Sequence, residues 1–406
     1  MERIAIIPAR GGSKRIPGKN IKEFHGLPII AYSIRAALRS GLFSEVMVST
    51  DSAEIASVAR EYGASIPFMR SAATSDDFAT TADVIREVLD RYEAGGRTFD
   101  SLCCLYATAP FVTPARLVDA VRMMGDHEAA FSCVAYGYPV QRGLEIAPDG
   151  CIAMRWPEYA SARSQDLTPT YHDAGQFYFS RVDAFRRHGS LWGPDTMPVI
   201  LPELEVQDLD TPTDWLLAEM KFSLLRFPAR IDTEHYTFRN YTSLDRETNL
   251  RLLECRNLPS IREYMVNRKV ISVEEHEDFV RSLRTLLDRA YYAVYERDGG
   301  LIGSVNVHAV VSPEFPSATY ERGIWLRPAA QGYGHAKRLL KEFYARLAAD
   351  RGVKRILTEV FSDNNASLRL EKSLGAKPIS DIEAPDSRIL ERFLLEISSV
   401  DLVRLI

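Results

Sequence analysis

Short apolar runs alternate with amphipathic segments along the first half of the chain. Strands are predicted at residues 4–9, 45–50, 66–70 and 102–106. Helices are predicted at residues 29–40, 53–62, 81–93, 114–124 and 213–225. A strand–helix alternation of this kind indicates a mainly parallel sheet with helices on both faces. We therefore expect an α/β, Rossmann-like three-layer domain.

The pattern changes twice further along the chain. Residues 131–136 and 144–154 are predicted to form antiparallel strands, which could serve as a flap or a dimer arm. The region after residue 228 mixes hairpins with helices in a different rhythm. Because Phe227-Pro-Ala-Arg230 is a plausible join, we expect domains at 1–228 and 229–406.

Composition narrows the class of protein. The chain has 406 residues, is 46% hydrophobic and 26% charged, and carries a net charge of −5, which is typical of a two-domain globular protein without a nucleic-acid surface. The five cysteines show no C-x-x-C spacing, so free thiols in a reducing compartment are expected. No apolar run approaches membrane-spanning length. We expect a cytoplasmic protein that does not contact a membrane.

A cationic, glycine-containing loop follows the first strand. It holds Arg10, Gly11, Gly12, Lys14, Arg15 and Lys19. Glycines let backbone N–H groups approach phosphate oxygens closely, and the cations neutralise their charge. The spacing matches neither a Walker loop nor a dinucleotide fingerprint. The alternative interpretation, a solvated surface loop, explains the glycines less well.

Asp208 and Asp210 lie two residues apart, so in an extended chain they project to the same side. Two carboxylates facing a polyphosphate are suited to Mg²⁺. Helix capping is the alternative, since Asp210 or Thr211 could cap the helix that follows, with Asp214 near its N-terminus.

A dense polar cluster occupies the middle of the first half. It comprises Arg163, Gln165, Asp166, His172, Asp173 and Gln176. A pocket for an acidic, hydroxyl-rich sugar needs a fixed cation and several amide or carboxylate partners. Taken alone, His172 could equally be a structural histidine.

A second glycine-containing loop lies between a predicted strand and helix in the C-terminal half. The small residues Gly332, Gly334 and Ala336 would expose successive N–H groups at a helix N-terminus, which is an anion site. Such a pattern is weak alone, but the segment from Asn364 to Gly375 after the next strand supports it.

The run Ile7-Pro-Ala-Arg-Gly-Gly-Ser-Lys-Arg-Ile-Pro-Gly-Lys-Asn20 resembles the opening motif of the CMP-sialic acid synthetase family. Further segments follow in the expected order, and the Arg163–Asp166 and Tyr171–Gln176 segments are most similar to members that use pseudaminic acid. The resemblance implies that CTP and a nonulosonic acid give a CMP-sugar and pyrophosphate. A sialic or legionaminic acid is the alternative substrate.

That resemblance also implies roles for individual residues. The CTP-binding residues would be Arg10, Gly11, Gly12, Ser13, Lys14, Lys19, Asn20, Arg70 and Asp83. Asp208 and Asp210 would hold Mg²⁺ and act in catalysis with Arg10 and Lys19. The polar cluster would bind the sugar, and the domain would form a homodimer. Tyr106 stands where sialic acid enzymes often carry a glutamine, so the cytosine-reading side chain is unassigned.

The C-terminal half resembles a GCN5-related acetyltransferase (GNAT) of α+β fold, because Gln331-x-x-Gly-x-Ala336 matches its acyl-CoA pyrophosphate loop. The acetyl-CoA-binding residues would be Leu326, Gln331, Gly332, Gly334, His335, Ala336 and Asn365. The segment from Asn257 to Met265 resembles acetyltransferases that act on the 4-amino group of a UDP-linked dideoxy sugar. Glu321 is a candidate base, or a solvent-facing strand residue. Leu370 replaces the usual tyrosine acid, so a non-catalytic or regulatory acyl-CoA-binding module is the alternative.

Overall fold

A computed structural model describes residues 1–13, 15–76, 78–315 and 318–397. The chain forms two compact units, Met1–Leu225 and Arg226–Ile406, each with its own sheet and hydrophobic core. Within the described ranges, no helix is both long enough and apolar enough to cross a membrane.

The first unit is built on one large sheet. Its strands are β1 (Arg3–Pro8), β2 (Glu23–Phe24), β3 (Leu27–Pro28), β4 (Glu45–Ser49), β5 (Ser101–Leu105), β6 (Ala129–Ala135), β7 (Leu144–Ile146), β8 (Ile152–Met154), β9 (Tyr171–Arg181) and β10 (Thr196–Ile200). Its helices are α1 (Ile30–Ser40), α2 (Ala53–Glu61), α3 (Thr81–Ala94), α4 (Pro114–Met124), α5 (Val182–His188) and α6 (Pro212–Leu225). The main sheet has the order β10-β6-β9-β5-β1-β4, while β2 pairs with β3 and β7 with β8.

Helices cover both faces of this sheet, as predicted. Along β1, Ala5 and Ile7 point into a core shared with α1, α2 and α4, whereas Ile4 and Ile6 point into a core shared with α3 and α5. This alternation is the period of two that a strand buried on both faces requires. The three-layer α/β architecture is confirmed.

The sheet is more mixed than the sequence indicated. β1 runs parallel to β4 and β5, and β6 parallel to β10, but β9 is antiparallel to both of its neighbours. The strand predicted at residues 66–70 is absent among the described elements; only Ser65 bridges to Met47. Pro67 has no N–H to donate there, which disfavours continued pairing.

The second unit has a single sheet of eight strands among its described residues. These are β11 (Arg230–Asp232), β12 (Tyr236–Asn240), β13 (Arg289–Glu296), β14 (Leu301–Ala309), β15 (Thr319–Leu326), β16 (Arg355–Phe361), β17 (Lys377–Glu383) and β18 (Ile389–Glu396), in the order β11-β12-β13-β14-β15-β16-β18-β17. Its helices are α7 (Arg246–Arg256), α8 (Pro259–Arg262), α9 (Val273–Leu283), α10 (His335–Arg351) and α11 (Asn365–Leu374).

The two faces of this sheet have separate cores. On one face, Phe343 of α10 stacks on Phe238 with ring centroids 5.0 Å apart. On the other, Leu252 of α7 and Val280 of α9 pack with Ala293. The α+β fold is thereby confirmed. The only parallel pair described in this sheet, β15 with β16, stops at Glu321 and Leu357 although both strands continue.

Candidate active sites

The loop after β1 is fixed by close backbone contacts. The Gly11 N–H donates to Asp51 Oδ1 at 2.9 Å, and a Cβ built on Gly11 would lie 3.1 Å from the Cβ of Ser52. The loop ends at Gly18, whose φ of 62° is in the left-handed region, before a short 3₁₀ turn at Lys19–Ile21. A side chain at position 11 would force Ser52 to shift by a few tenths of an ångström, and the left-handed backbone at Gly18 favours glycine. Lys14 lies outside the described residues.

Two cations of this loop contact the acidic segment before α6. Lys19 Nζ donates to the Leu209 carbonyl at 2.6 Å and lies 3.7 Å from Asp210 Oδ1. Arg15 Nη2 lies 2.7 Å from the same Asp210 oxygen. The structure thus brings together the cationic loop and the aspartate pair, which are about 190 residues apart in sequence.

The rest of the loop is held by its neighbours. Asn20 Nδ2 donates to the Arg10 carbonyl at 2.9 Å, and Arg10 Nη1 donates to the Asp76 carbonyl at 3.3 Å. The Ser13 N–H bonds back to the Gly11 carbonyl at 3.1 Å. The Asn20 side chain therefore holds the backbone of Arg10 in place.

Only part of the acidic segment caps the helix that follows it. Thr211 and Asp214 cap α6 reciprocally: Asp214 Oδ2 accepts from Thr211 N and Oγ1, and the Asp214 N–H donates to Thr211 Oγ1. Asp208 is exposed, and neither its side chain nor that of Asp210 is needed for this cap. Two carboxylates completed by phosphate oxygens and water fit the ligand preference of Mg²⁺. Among the described residues, no group of three or more metal-binding side chains occurs here or elsewhere.

Arg70 and Asp83, both predicted to bind CTP, are engaged within the protein. Arg70 is buried, and its guanidinium donates to the Ser49 carbonyl at 2.6 Å and to Ser49 Oγ at 3.1 Å. Burial lowers the pKa of Arg70, and nearby Asp51 opposes this shift. Asp83 forms a capping box with Thr80 at the start of α3, and hydrogen bonds from Thr80 hold the pKa of Asp83 below its usual range.

The polar cluster is split between a turn and β9. Arg163 and Asp166 are exposed and form a two-bonded ion pair, at 2.8 and 3.3 Å, in the turn that also holds Gln165. His172 lies against the Tyr136 ring, with centroids 4.7 Å apart, and its Nδ1 contacts the Asp173 carbonyl at 2.8 Å.

Gln176, by contrast, points inward. It is 4% exposed and donates its amide to the Glu205 carbonyl at 2.5 Å. Glu205 in turn accepts two hydrogen bonds from Arg116. The structure therefore uses Gln176 to tie β9 to the segment that leads into Asp208 and Asp210.

The sequence prediction missed the contacts of Arg15 and Tyr178. Arg15 was part of the cationic loop, but its pairing with Asp210 has no local signal. Tyr178 donates its hydroxyl to Asp173 Oδ2 at 2.5 Å, and burial raises the pKa of this phenol. In the apolar run Phe177–Phe179, Tyr178 has the pattern of an ordinary core residue.

In the second unit, the loop between β15 and α10 contains two left-handed glycines. Gly332 has φ 85° and Gly334 has φ 80°. Gln331 Nε2 donates to the Leu326 carbonyl at 3.0 Å, which closes the loop on the end of β15. His335, the first residue of α10, contacts the Tyr236 hydroxyl at 3.0 Å through Nδ1. Ala336 follows in the first turn, and backbone N–H groups at a helix start of this kind are suited to an anion.

Asn365 is the first residue of α11, which follows the end of β16 at Phe361. Its neighbour Asn364 provides the cap by accepting from Ser367 N at 3.1 Å. Leu370 on this helix packs partly buried against the core of the unit, so it has an apolar structural role.

A carboxylate–imidazole pair lies where β15 and β16 stop pairing. Glu321 Oε2 is 3.2 Å from His308 Nε2, directly across the β14–β15 ladder. Glu359 lies beside them, 3.6 Å from Arg392. Burial raises the pKa of Glu359, and the charge of Glu321 adds to the effect. A partly buried group of acids next to a strand gap is suited to receive a cationic amine.

On the opposite face, Arg322 and Glu371 form a fully buried ion pair, and Arg322 Nε also donates to the Tyr344 hydroxyl at 2.9 Å. This network joins β15, α10 and α11 beneath the gap.

Comparisons with known proteins agree with this division. Residues 4–185 match the family model described as cytidylyltransferase, and residues 235–377 match the model described as acetyltransferase (GNAT) domain.

The first unit also has curated relatives. Pseudaminic acid cytidylyltransferase of Campylobacter jejuni is 39% identical over 226 residues, covering 55% of this chain and 97% of the relative. CMP-N,N'-diacetyllegionaminic acid synthase of Legionella pneumophila is 36% identical over 237 residues, with the same two coverages. The solved structure of an N-acetyltransferase from Campylobacter jejuni aligns with 40% of this chain and 99% of that chain, at 17% identity and a TM-score of 0.31.

Proposed function

The chain belongs to the cytidylyltransferase family and carries an acetyltransferase (GNAT) domain, and we propose that it is a bifunctional enzyme of pseudaminic acid synthesis. Its first unit would transfer CMP from CTP to pseudaminic acid, and its second would acetylate an amino-sugar precursor. The observation that carries the first activity is the contact of Arg15 and Lys19 with the Asp208–Asp210 segment.

In the proposed transfer, the anomeric hydroxyl of the sugar attacks the α-phosphorus of CTP. A new P–O bond forms, the bond to the β-phosphate breaks, the hydroxyl proton is released, and pyrophosphate leaves. Arg10, Lys19, the Gly12 N–H and the Ser13 side chain would hold the triphosphate, with Gly11 fixing the loop on Asp51 and Asn20 fixing Arg10. Lys14 is proposed to add a further charge.

Asp208 and Asp210 would hold Mg²⁺, which supplies charge neutralisation on the phosphates when bound. Arg15, which shares the Asp210 carboxylate at 2.7 Å, would then be free to turn toward the triphosphate. Arg70 is proposed to support the nucleotide site indirectly, through its hydrogen bond to Ser49. Asp83 is proposed to support it by capping the start of α3.

The sugar would lie over the turn at Arg163 and the exposed start of β9. Arg163 is proposed to bind the sugar carboxylate, with Gln165, Asp166, His172 and Asp173 as partners for its hydroxyl and amide groups. Gln176 is proposed to act from behind, through Glu205. A legionaminic or sialic acid is the alternative substrate. The similarity to the Legionella enzyme supports legionaminic acid among these two.

For the second unit, we propose acetyl-CoA bound through its pyrophosphate at the start of α10. Leu326, Gln331, Gly332, Gly334, His335, Ala336 and Asn365 would line this site. A neutral amine would attack the thioester carbonyl, a C–N bond would form, the C–S bond would break, and CoA would leave as a thiolate that takes a proton from water. Glu321, paired with His308, would accept the proton that the amine loses. The acceptor is proposed to be a UDP-linked 4-amino-4,6-dideoxy sugar.

We also propose a cytoplasmic homodimer with domains at 1–228 and 229–406. All five cysteines are free, which suits a reducing compartment. The β7–β8 hairpin exposes Leu144, Ile146 and Ile152 to 63–79%, and a second copy could cover this apolar surface.

Mass spectrometry of products tests both activities. CTP should yield a CMP-sugar with pseudaminic acid in preference to legionaminic or sialic acid, and acetyl-CoA should yield an N-acetylated product with the UDP-linked amino sugar. Binding of acetyl-CoA without thiol release for any amino-sugar acceptor would favour the non-catalytic module.

A further inference from the structure

Strand β9 contains a large bulge, of more than one residue, at the proposed sugar-binding segment. Phe131 of β6 pairs with Tyr178, but Cys133, only two residues on, pairs with Asp173. The extra residues of β9 are accommodated by Gly175, whose φ is 62°. The bulge folds Asp173 back onto its own strand, where its Oδ1 accepts the Gly175 N–H at 2.8 Å.

The other Asp173 oxygen accepts from a buried phenol. A carboxylate can only accept, so Tyr178 must donate its single proton to Asp173 Oδ2 at 2.5 Å. The Tyr106 ring packs against Tyr178 with centroids 5.5 Å apart.

This hydrogen bond joins a buried phenol to an exposed carboxylate. Tyr178 is 5% exposed and stacks on Phe131 with centroids 5.8 Å apart, so its ring cannot turn away. Asp173 itself is exposed. Both of its oxygens are held by the protein while keeping lone pairs on the open side.

We propose that Tyr178 is a positioning residue that holds Asp173 as the selective acceptor for an N–H or O–H group of the sugar. This rests on the proposed cytidylyl transfer. A fixed carboxylate accepts hydrogen bonds from hydroxyl or acylamino groups and repels the carboxylate end of the substrate, so it sets which way round the sugar binds.

The test is steady-state kinetics of Tyr178→Phe in the full chain, with CTP and pseudaminic acid. The ring is kept and only the donor to Asp173 is lost. The KM for the sugar should rise about tenfold or more, as expected for losing a hydrogen bond to a charged group. The KM for CTP and kcat should stay near wild type.

A double-mutant cycle separates positioning from general loosening. In Asp173→Asn the sugar KM should also rise, and adding Tyr178→Phe should cost less than the sum of the two effects. Tyr32→Phe is the matched control, because it removes a buried hydroxyl that donates to the Phe24 carbonyl at 2.8 Å. Its sugar KM should not change.

An unchanged sugar KM in Tyr178→Phe, equal rises for both substrates, or strict additivity with Asp173→Asn would overturn the proposal. Absence of any CMP-sugar from the wild-type chain would instead reject the cytidylyl transfer itself.

Discussion

The two units prepare an anion site at a strand exit in opposite ways. In the first, the loop after β1 presents Arg15 and Lys19, whose charges are held by Asp210 and the Leu209 carbonyl. In the second, the loop after β15 presents backbone N–H groups, shaped by the left-handed Gly332 and Gly334 at the start of α10. One site depends on side-chain charge and the other on backbone conformation.

This difference has a mechanistic consequence. Side-chain cations paired with a carboxylate can be exchanged, so in the proposed mechanism Asp210 would release Arg15 when the metal and the triphosphate bind. A backbone cradle would need no such exchange, because it uses no side-chain charge. The first design suits a site where charge is rearranged during reaction, and the second a site that only holds a carrier.

The largest expected effect comes from removing that exchangeable charge. Asp210→Asn should lower kcat for CMP transfer by about 10²-fold or more, because the proposed magnesium site loses a carboxylate ligand and the charge on the reacting phosphates is neutralised less well. Acetyl transfer in the same protein should not change. Stopped assays with CTP and the sugar, read by pyrophosphate release, measure the effect.

Asp214→Asn is the control for Asp210→Asn. It removes a carboxylate four residues away that serves the α6 cap, so it should cost about 1 kcal/mol of stability and leave turnover intact. Near-normal turnover in Asp210→Asn would exclude that residue from the metal site.

The second effect concerns proton removal in the other unit. Glu321→Gln should reduce acetyl transfer by about 10²-fold and shift its pH profile, because the carboxylate that would accept the amine proton is gone. Acetyl-CoA affinity, measured by calorimetry, should stay the same. Glu314→Gln removes a more exposed carboxylate near Arg392 and should be nearly neutral. An unchanged pH profile in Glu321→Gln would mean that another base acts.

The sequence was a good guide wherever a short motif carries the chemistry. The cationic loop with Arg10 and Lys19 and the pair Asp208 and Asp210 could each be recognised in advance, and the family resemblance implied that both serve one reaction. The acyl-CoA loop could be predicted in the same way, since glycines and a helix start occur in one short run. These features depend on local pattern and family resemblance.

The sequence was a poor guide where side-chain direction depends on register. The β9 bulge turns Gln176 inward and Asp173 onto Tyr178, and nothing in the residue order specifies where a strand bulges. The strand predicted at 66–70 also fails for a reason of backbone pairing. Ser65 still bonds to β4 and the Arg70 N–H donates to the Thr50 carbonyl, but Pro67 has no N–H with which to continue the pairing between them. Partner choice across long separations, such as Arg15 with Asp210, is set by packing of the whole unit.

A smaller effect should come from the backbone cradle. Gly334→Ala forces a side chain into a left-handed conformation, which costs about 1–2 kcal/mol and distorts the loop. Acetyl-CoA binding should weaken by about tenfold on that scale. Gly352→Ala is the matched control, because Gly352 has φ 63°, equally open surroundings and a place at the other end of α10. Both variants should lose similar stability, but only Gly334→Ala should lose affinity. Equal acetyl-CoA affinity in the two would remove the cradle from the binding site.

The smallest effect is a difference in salt dependence. Arg15 is 67% exposed, so its attraction for a triphosphate is screened as ionic strength rises from about 0.05 to 0.3 M, over which the Debye length falls about 2.4-fold. The KM for CTP should therefore rise a few-fold over this range. Backbone donors at the start of α10 act at contact distance and carry only partial charge, so the dissociation constant for acetyl-CoA should change less. Titrating both ligands against the same full-length protein in the same buffers gives the two slopes directly. Equal slopes would mean that acetyl-CoA also relies on side-chain cations, and the contrast between the two loops would then be one of geometry alone.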